Sequence, residues 1–238
     1  MLTARDSSTT YLETAGFDHV KTGVFTMTAW VKPTAGKPSG GAGARSAVVS
    51  LCDAAKAASA TIAWNGTHFL YTDATRAASP VVSSGGGGGG GVTTPGEWHH
   101  VAVTFVVVDR GAYFDPGAAA RAHRAGTLYV DGVPTSFDTI LPPLAGARMT
   151  VGAEYASGSL VSGRYFDGDV DEVRLYNRAL AGGEVVGTGG ASGGGGSSSE
   201  VNTLAFRVPT YANASAGGAA LAPFTGLKVH FDFEDLAG

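Results

Sequence analysis

Residues 164–180 read RYFDGDVDEVRLYNRAL, and no other stretch constrains the fold so tightly. Val173 and Leu175 alternate with Glu172, Arg174 and Tyr176, the period of two by which a strand turns successive side chains to opposite faces. Phe166 and Val170 carry the opposite parity, so the apolar phase changes between Val170 and Val173. A bulge or bend near Gly168, where no Cβ crowds the backbone, is the expected remedy. After Asn177, Arg178, Ala179 and Leu180 suit a short helical turn that Gly182 and Gly183 end.

The same alternation recurs along the chain. Phe25, Met27, Ala29 and Val31 lie on one face, with Thr26, Thr28, Trp30 and Lys32 on the other, and Pro33 ends the strand because it cannot donate to a ladder. Trp30 is expected in a covered core rather than on a sugar-stacking platform. A first strand falls within residues 8–20, and short apolar strands at 46–51 and 149–152. Residues 61–64 and 68–71 flank Asn65-Gly66, while Asp131-Gly132 turns the segment 128–137; both dipeptides suit two-residue type I′ turns. Residues 99–108 are the most strongly β segment. His99 and His100 are neighbours on it, so they point to opposite faces and cannot share one metal ion.

A chain of 238 residues suits one large all-β domain with tails. Its 37 glycines lie mostly in runs, seven of them at 85–91 and more beyond Val186. Such runs have no side chains to bury and much entropy to lose, so disordered loops are expected there. No strand and helix flank the run at 85–91, which excludes a phosphate-cradling reading. Residues 109–126 are an Ala-rich insertion, expected to be an exposed loop.

A net charge of −4 without a Lys/Arg cluster excludes nucleic acid and anionic membrane as main partners. The single Cys52 cannot form an internal disulfide and reads as a small buried hydrophobe. There is no run of 18 apolar residues and no secretory leader at the start, so no direct membrane insertion is expected. Asn65-Gly66-Thr67 and Asn213-Ala214-Ser215 match the N-glycosylation acceptor pattern.

Residues 164–180 resemble the closing strand of laminin-G-like domains in the concanavalin A-like lectin/glucanase superfamily, F-x-G-x-[IV]-D-E-[VI]-R-[IVL]-Y-N-R-A-L. The match takes in Phe166, Gly168, Val170 and every residue of 171–180. Three more segments resemble the family in the right order: FTMTAWVKP at 25–33, EWHHVAVTF at 97–105 and LYVDGV at 128–133. The resemblance covers residues 8–186. It implies an all-β, two-sheet antiparallel jelly-roll sandwich, here with Gly-rich disordered loops.

Residues 187–226 then read as a Gly/Ser/Ala-rich linker with a weak strand at 201–208, and 227–238 as a final strand. In the resembled family a segment of the form G-L-V-x-Y-[WY]-x-F-D-E comes first; here GLKVHFDFED, 226–235, comes last. It either folds back and completes the sandwich in a permuted order or opens a further module. Fold-back is favoured, because closing a loop of about 40 residues costs little more than closing a shorter one.

Three acids at every second position, Asp167, Asp169 and Asp171, can present oxygens to a hard cation. The resemblance implies one structural calcium ion near Asp171 and Asp232, so these four aspartates are the candidate metal ligands; the alternative is that they keep a sheet solvated. Retaining glucanases of the superfamily carry paired acids at alternate strand positions. Two residues after Asp171 stands Val173, and Glu172 is expected to point away, so the pair is missing and no enzyme is expected. No nucleophilic triad is legible either.

The loop aromatics Tyr113, Phe114, Tyr155 and Tyr165 are the candidate ligand contacts. The resemblance implies a non-catalytic recognition module for carbohydrate or glycoprotein in a larger adhesion or surface protein, with an extracellular location. A structural module packing against neighbouring subunits is the alternative.

Overall fold

The computed structural model describes residues 11–20, 22–36, 38, 44–57, 59–73, 82–83, 93–107, 123–140, 144–186 and 227–231. The Gly-rich run at 85–91, the linker with its weak strand, Tyr113, Phe114 and Asp232 lie outside them. Two six-stranded antiparallel sheets face each other. The first has the order β1 (Leu12–Glu13), β10 (Arg148–Val151), β3 (Ser46–Cys52), β4 (Ser59–Trp64), β5 (Phe69–Asp73), β6 (Val82–Ser83). The second has the order β14 (Leu227–Phe231), β13 (Gly168–Tyr176), β2 (Phe25–Pro33), β7 (His99–Val107), β8 (His123–Val130), β9 (Val133–Ile140). A small ribbon, β11 (Tyr155–Ala156) and β12 (Ser159–Leu160), and one short helix, α1 (Gly182–Val186), complete the described elements. Among the described residues no helix is long and apolar enough to cross a membrane.

The alternating apolar residues of both sheets meet in one core, which takes in Met27, Val49, Ile62, Val103, Leu128, Met149 and Leu175. Tyr71 of the first sheet stacks on Phe137 of the second at 4.7 Å and stands edge-on to Phe105 at 5.2 Å, tying the layers at their centre. Each large side chain buried in this way contributes about 1.5–3 kcal/mol. Cys52 is buried, and burial pushes its thiol up to about 11.

Gly126 sits under the Phe137 ring with no room for a Cβ. β8 begins at His123, inside the stretch 109–126 expected to be an exposed loop, because residues 124–126 pair with both β7 and β9. β14 pairs antiparallel with β13, with Val229 opposite Leu175 and Phe231 opposite Val173.

The phase change in β13 has a different seat from the one expected. Asp171 pairs with Trp30 and Arg174 with Thr28, so Glu172 and Val173 together oppose Ala29. The bulge lies there, with Glu172 at φ 50°, and it lets Val173 reach the core without moving Asp171. Gly168 serves another purpose: at φ 148° it lies against the Lys32 carbonyl, too close for any Cβ.

The two hairpin dipeptides also diverge. Asp131 and Gly132 both have positive φ, as type I′ demands. At Asn65-Gly66 only Gly66 does, and the turn moves one residue on, with Asn65 N–H donating to the His68 carbonyl at 3.2 Å. The Asn65 carbonyl Oδ1 accepts from Thr67 N–H at 3.0 Å and His68 N–H at 2.8 Å, and this side-chain turn displaces the backbone one.

Candidate functional site

The cleft lies at one rim of the sandwich, where four strands end. β2 finishes at Pro33, β3 starts at Ser46, β4 finishes at Trp64, and residues 163–167 approach β13. Backbone bonds lash that last segment to both sheets. Ala47 N–H donates to the Arg164 carbonyl at 2.8 Å, and Thr34 N–H to the Asp167 carbonyl at 3.0 Å. Tyr165 forms a parallel bridge with Ala47 on the first sheet. Asp167 is thereby held against the second sheet only two residues further on.

Between them opens a cleft of about 280 Å³ lined by Thr34, Gly36, Pro38, Ser46, Trp64, Gly163, Tyr165 and Asp167. Its lining combines the half-buried Tyr165 with the hydroxyl residues Thr34 and Ser46 and one carboxylate, while the Trp64 side chain belongs to the inter-sheet core. The Thr34 hydroxyl donates to Asp167 Oδ1 at 3.4 Å, and the Ser46 hydroxyl to the Trp64 carbonyl at 3.4 Å. Trp64 is buried and packs on Phe69 at 4.9 Å, yet its indole Nε1–H has no hydrogen-bond partner among the described residues.

Among the described residues, the cations flanking the lining are engaged with other acids. Arg45 and Arg164 both donate to Oε1 of the buried Glu154. Lys32 pairs with Asp169 at 3.3 Å and lies 6.0 Å from the ring centre of Trp98, a side chain 45% exposed.

The second half of the closing stretch is covered. Arg174 and Glu172 form a buried ion pair on the face of the second sheet turned away from the core. Because the bulge swings its carboxylate to Arg174, Glu172 shares that outer face with Asp171, contrary to the strict alternation expected. Trp30 also belongs to this face and not to the inter-sheet core; it is half-buried and edge-on to His100 at 5.5 Å. His100 has a buried Nδ1 with no partner among the described residues, and burial pulls its pKa down to about 4, with Arg174 adding to the effect.

His99, its neighbour, faces the other way. Its Nδ1 lies 2.7 Å from Asp131 and its Nε2 3.0 Å from the Thr94 carbonyl, and the Asp131 carboxylate raises its pKa.

Residues 177–186 lid part of the outer face. The Thr26 hydroxyl donates to the Arg178 carbonyl and accepts from Leu180 N–H, both at 2.9 Å. Leu180 and Val185 pack there with Ala102, Tyr129 and Tyr176. The expected helical turn at 178–180 appears later, as α1, because the Glu184 carboxylate takes both the Arg178 guanidinium and Ala181 N–H at 2.8 Å.

Of the candidate residues read from sequence, Tyr165 and Asp167 are brought together in the cleft. Tyr155 is buried away from it, its hydroxyl donating to Glu13 at 2.9 Å and its ring under Lys56. Asp169 is tied to Lys32, and Asp171 Oδ1 accepts from Glu172 N–H at 2.7 Å. Among the described residues no group of three or more His, Cys, Asp and Glu side chains is placed to hold a metal ion. The fourth acid of that candidate set, Asp232, lies outside the described residues. The sequence reading passed over Trp64, Ser46 and Thr34, whose one signal is their position at strand ends on the same rim.

The chain belongs to the concanavalin A-like lectin/glucanases superfamily, whose family model matches residues 6–186. Solved structures similar to it include a native heptameric SAP-like pentraxin from Limulus polyphemus, 14% identical, with 77% of each chain covered and a TM-score of 0.48. A putative carbohydrate binding protein from Bacteroides ovatus is 13% identical, covering 98% of this chain and 48% of that one, with a TM-score of 0.46. A mutant Trypanosoma rangeli sialidase displaying trans-sialidase activity is 18% identical over 77% of this chain and 28% of that one, with a TM-score of 0.43. The chain thus spans about half of the Bacteroides protein and less of the sialidase. At such identities and scores the likeness says nothing of ligand. No curated protein matches the chain.

Proposed function

We propose that this chain is a non-catalytic recognition module whose rim cleft binds a saccharide unit of a glycan or glycoprotein, within a larger adhesion or surface protein. One observation carries the reading: the half-buried aromatic Tyr165 and the hydroxyl-pairing groups of Asp167, Thr34 and Ser46 line a single cleft. Sugars present exactly these two needs in chemical terms, an apolar C–H face and a rim of hydroxyls, and small-molecule sites are built of apolar walls with a few placed polar groups. The cleft is small, near the lower end of about 300 Å³ for ligand pockets, which supports one or two rings rather than an extended chain.

The carboxylates of the cleft support binding without hydrolysis. Glycosidases flank the scissile bond with two of them, roughly 5–9.5 Å apart. Among the described lining residues Asp167 is the only acid, and the neighbouring Asp169 is paired with Lys32. The test is a titration of neutral mono- and disaccharides followed by tryptophan fluorescence or calorimetry, with Tyr165→Ala as control. Saturable binding that the substitution weakens, with no release of reducing ends on long incubation, is the expected result. Absence of binding across the panel favours the structural-module reading.

A further inference from the structure

We infer that the cleft selects neutral saccharides over their acidic counterparts and that Asp167 is the specificity-determining residue. This deepens the binding function proposed above and rests on it. The lining carries one formal negative charge, on Asp167, and no positive one among the described residues. Each neighbouring cation is bonded to an acid other than Asp167: Arg45 and Arg164 share the single Glu154 carboxylate, a cluster with one surplus positive charge, and Lys32 pairs with Asp169.

A carboxylate in a partly enclosed cleft accepts hydrogen bonds from two sugar hydroxyls and strengthens them by its charge. The Thr34 hydroxyl, 3.4 Å from Asp167 Oδ1 in the same cleft, supplies a further hydrogen-bonding group. A ligand that brings its own carboxylate, sulfate or phosphate meets Asp167 as a like charge and finds only neutral donors among the described lining residues. Part of its hydration is then lost with no counter-ion gained, which is the usual form of discrimination against a charged competitor.

The probes are matched pairs that differ only in oxidation at C6: glucose with glucuronate and galactose with galacturonate, as methyl glycosides. In calorimetry at low ionic strength the neutral member of the bound pair is expected to associate at least tenfold more tightly. Asp167→Asn keeps the shape of the side chain and removes the charge; it is expected to weaken the neutral ligand modestly and to bring the pair within about threefold of each other. Raising the salt narrows the wild-type gap in the same direction, because screening acts within about 10 Å at 0.1 M.

Lys37, which stands in the sequence between the lining residues Gly36 and Pro38, lies outside the described residues, so Lys37→Ala is measured with the same pairs. Equal or tighter binding of the uronate by the wild-type protein overturns the inference, and so does a uronate preference that Lys37→Ala abolishes. A gap unchanged in Asp167→Asn removes Asp167 from its role. If neither member of any pair binds, the binding function itself fails, a result distinct from binding without discrimination.

Discussion

Residues 163–169 and 171–176 belong to one continuous stretch and carry acids at similar spacing, yet the two halves do opposite things. In the first, Asp167 and Asp169 are exposed, one lining a cleft and the other paired with Lys32 in a bridge whose side chains are 64% and 39% exposed. Surface pairs of that kind are worth about 0–1 kcal/mol, so this half is free to serve a ligand. In the second half Glu172 and Arg174 are buried together beneath the outer face, with His100 near them. Charges so placed are held by geometry, and a partner lost there leaves the other stranded. The difference teaches that an acidic repeat acquires its role from what covers it. Here the change of cover falls at the Glu172 bulge, where the strand passes from an open rim to a lidded sheet.

The comparison is broken most severely by Arg174→Ala, which leaves Glu172 buried and unpaired and is expected to cost about 3–5 kcal/mol in urea unfolding. Replacing both partners, Glu172→Gln with Arg174→Met, is expected to recover much of that loss. Next in size is acid. His100, with a folded pKa of about 4 against 6.5 unfolded, binds its proton only after unfolding, so stability falls as pH drops from 6.5 toward 4. Over that window the loss is roughly 3 kcal/mol, and His100→Gln removes it.

His99 has the opposite sign: its raised pKa contributes stability that is full below 6.5 and lost as pH rises through the folded value. Unfolding midpoints across pH should therefore peak near the ordinary histidine range, with His99→Gln flattening the alkaline side alone. In the open half, Gly168→Ala must place a Cβ against the Lys32 carbonyl at φ 148°, and an expected loss of about 1–3 kcal/mol comes with weaker saccharide binding as Asp167 shifts. Tyr165→Ala is expected to spare stability to within about 1 kcal/mol while weakening the bound sugar about tenfold, since the side chain is only half-buried.

Much of the fold was legible because it rests on short-range pattern. Phe25 to Val31 and Val101 to Phe105 alternate with the period of a pleat, and Asp131-Gly132 can hardly do other than turn. What escaped was set by long-range partners. The bulge belongs at Glu172 because Asp171 must meet Trp30 while Val173 must meet the core, and only the pairing with β2 imposes both demands. Asn65 yields its turn to its own side chain, a competition that the dipeptide alone does not decide. Tyr165 and Asp167 were visible as an aromatic and an acid on one loop. Trp64, more than 90 residues away, joins them only because β4 and β13 end at the same rim.

The smallest expected effect is that of calcium, and it bears directly on why the open half is open. A cation on the aspartates needs several oxygens within one coordination sphere. In the structure Asp169 faces Lys32 and Asp171 faces the Glu172 amide, so gathering them would mean breaking both contacts and re-registering the start of β13 against β2. A site filled at a hundredfold excess over its dissociation constant adds about 2.7 kcal/mol, several degrees in the unfolding midpoint of a domain this size. No such rise is expected on adding excess calcium to chelator-treated protein. A rise abolished equally by Asp171→Asn and by ending the chain at Val186 would reverse the argument, because it would tie the ion to Asp171 and to the last strand. The acids of residues 167–171 would then owe their exposure to a missing metal, and the contrast between the two halves would be one of occupancy instead of cover.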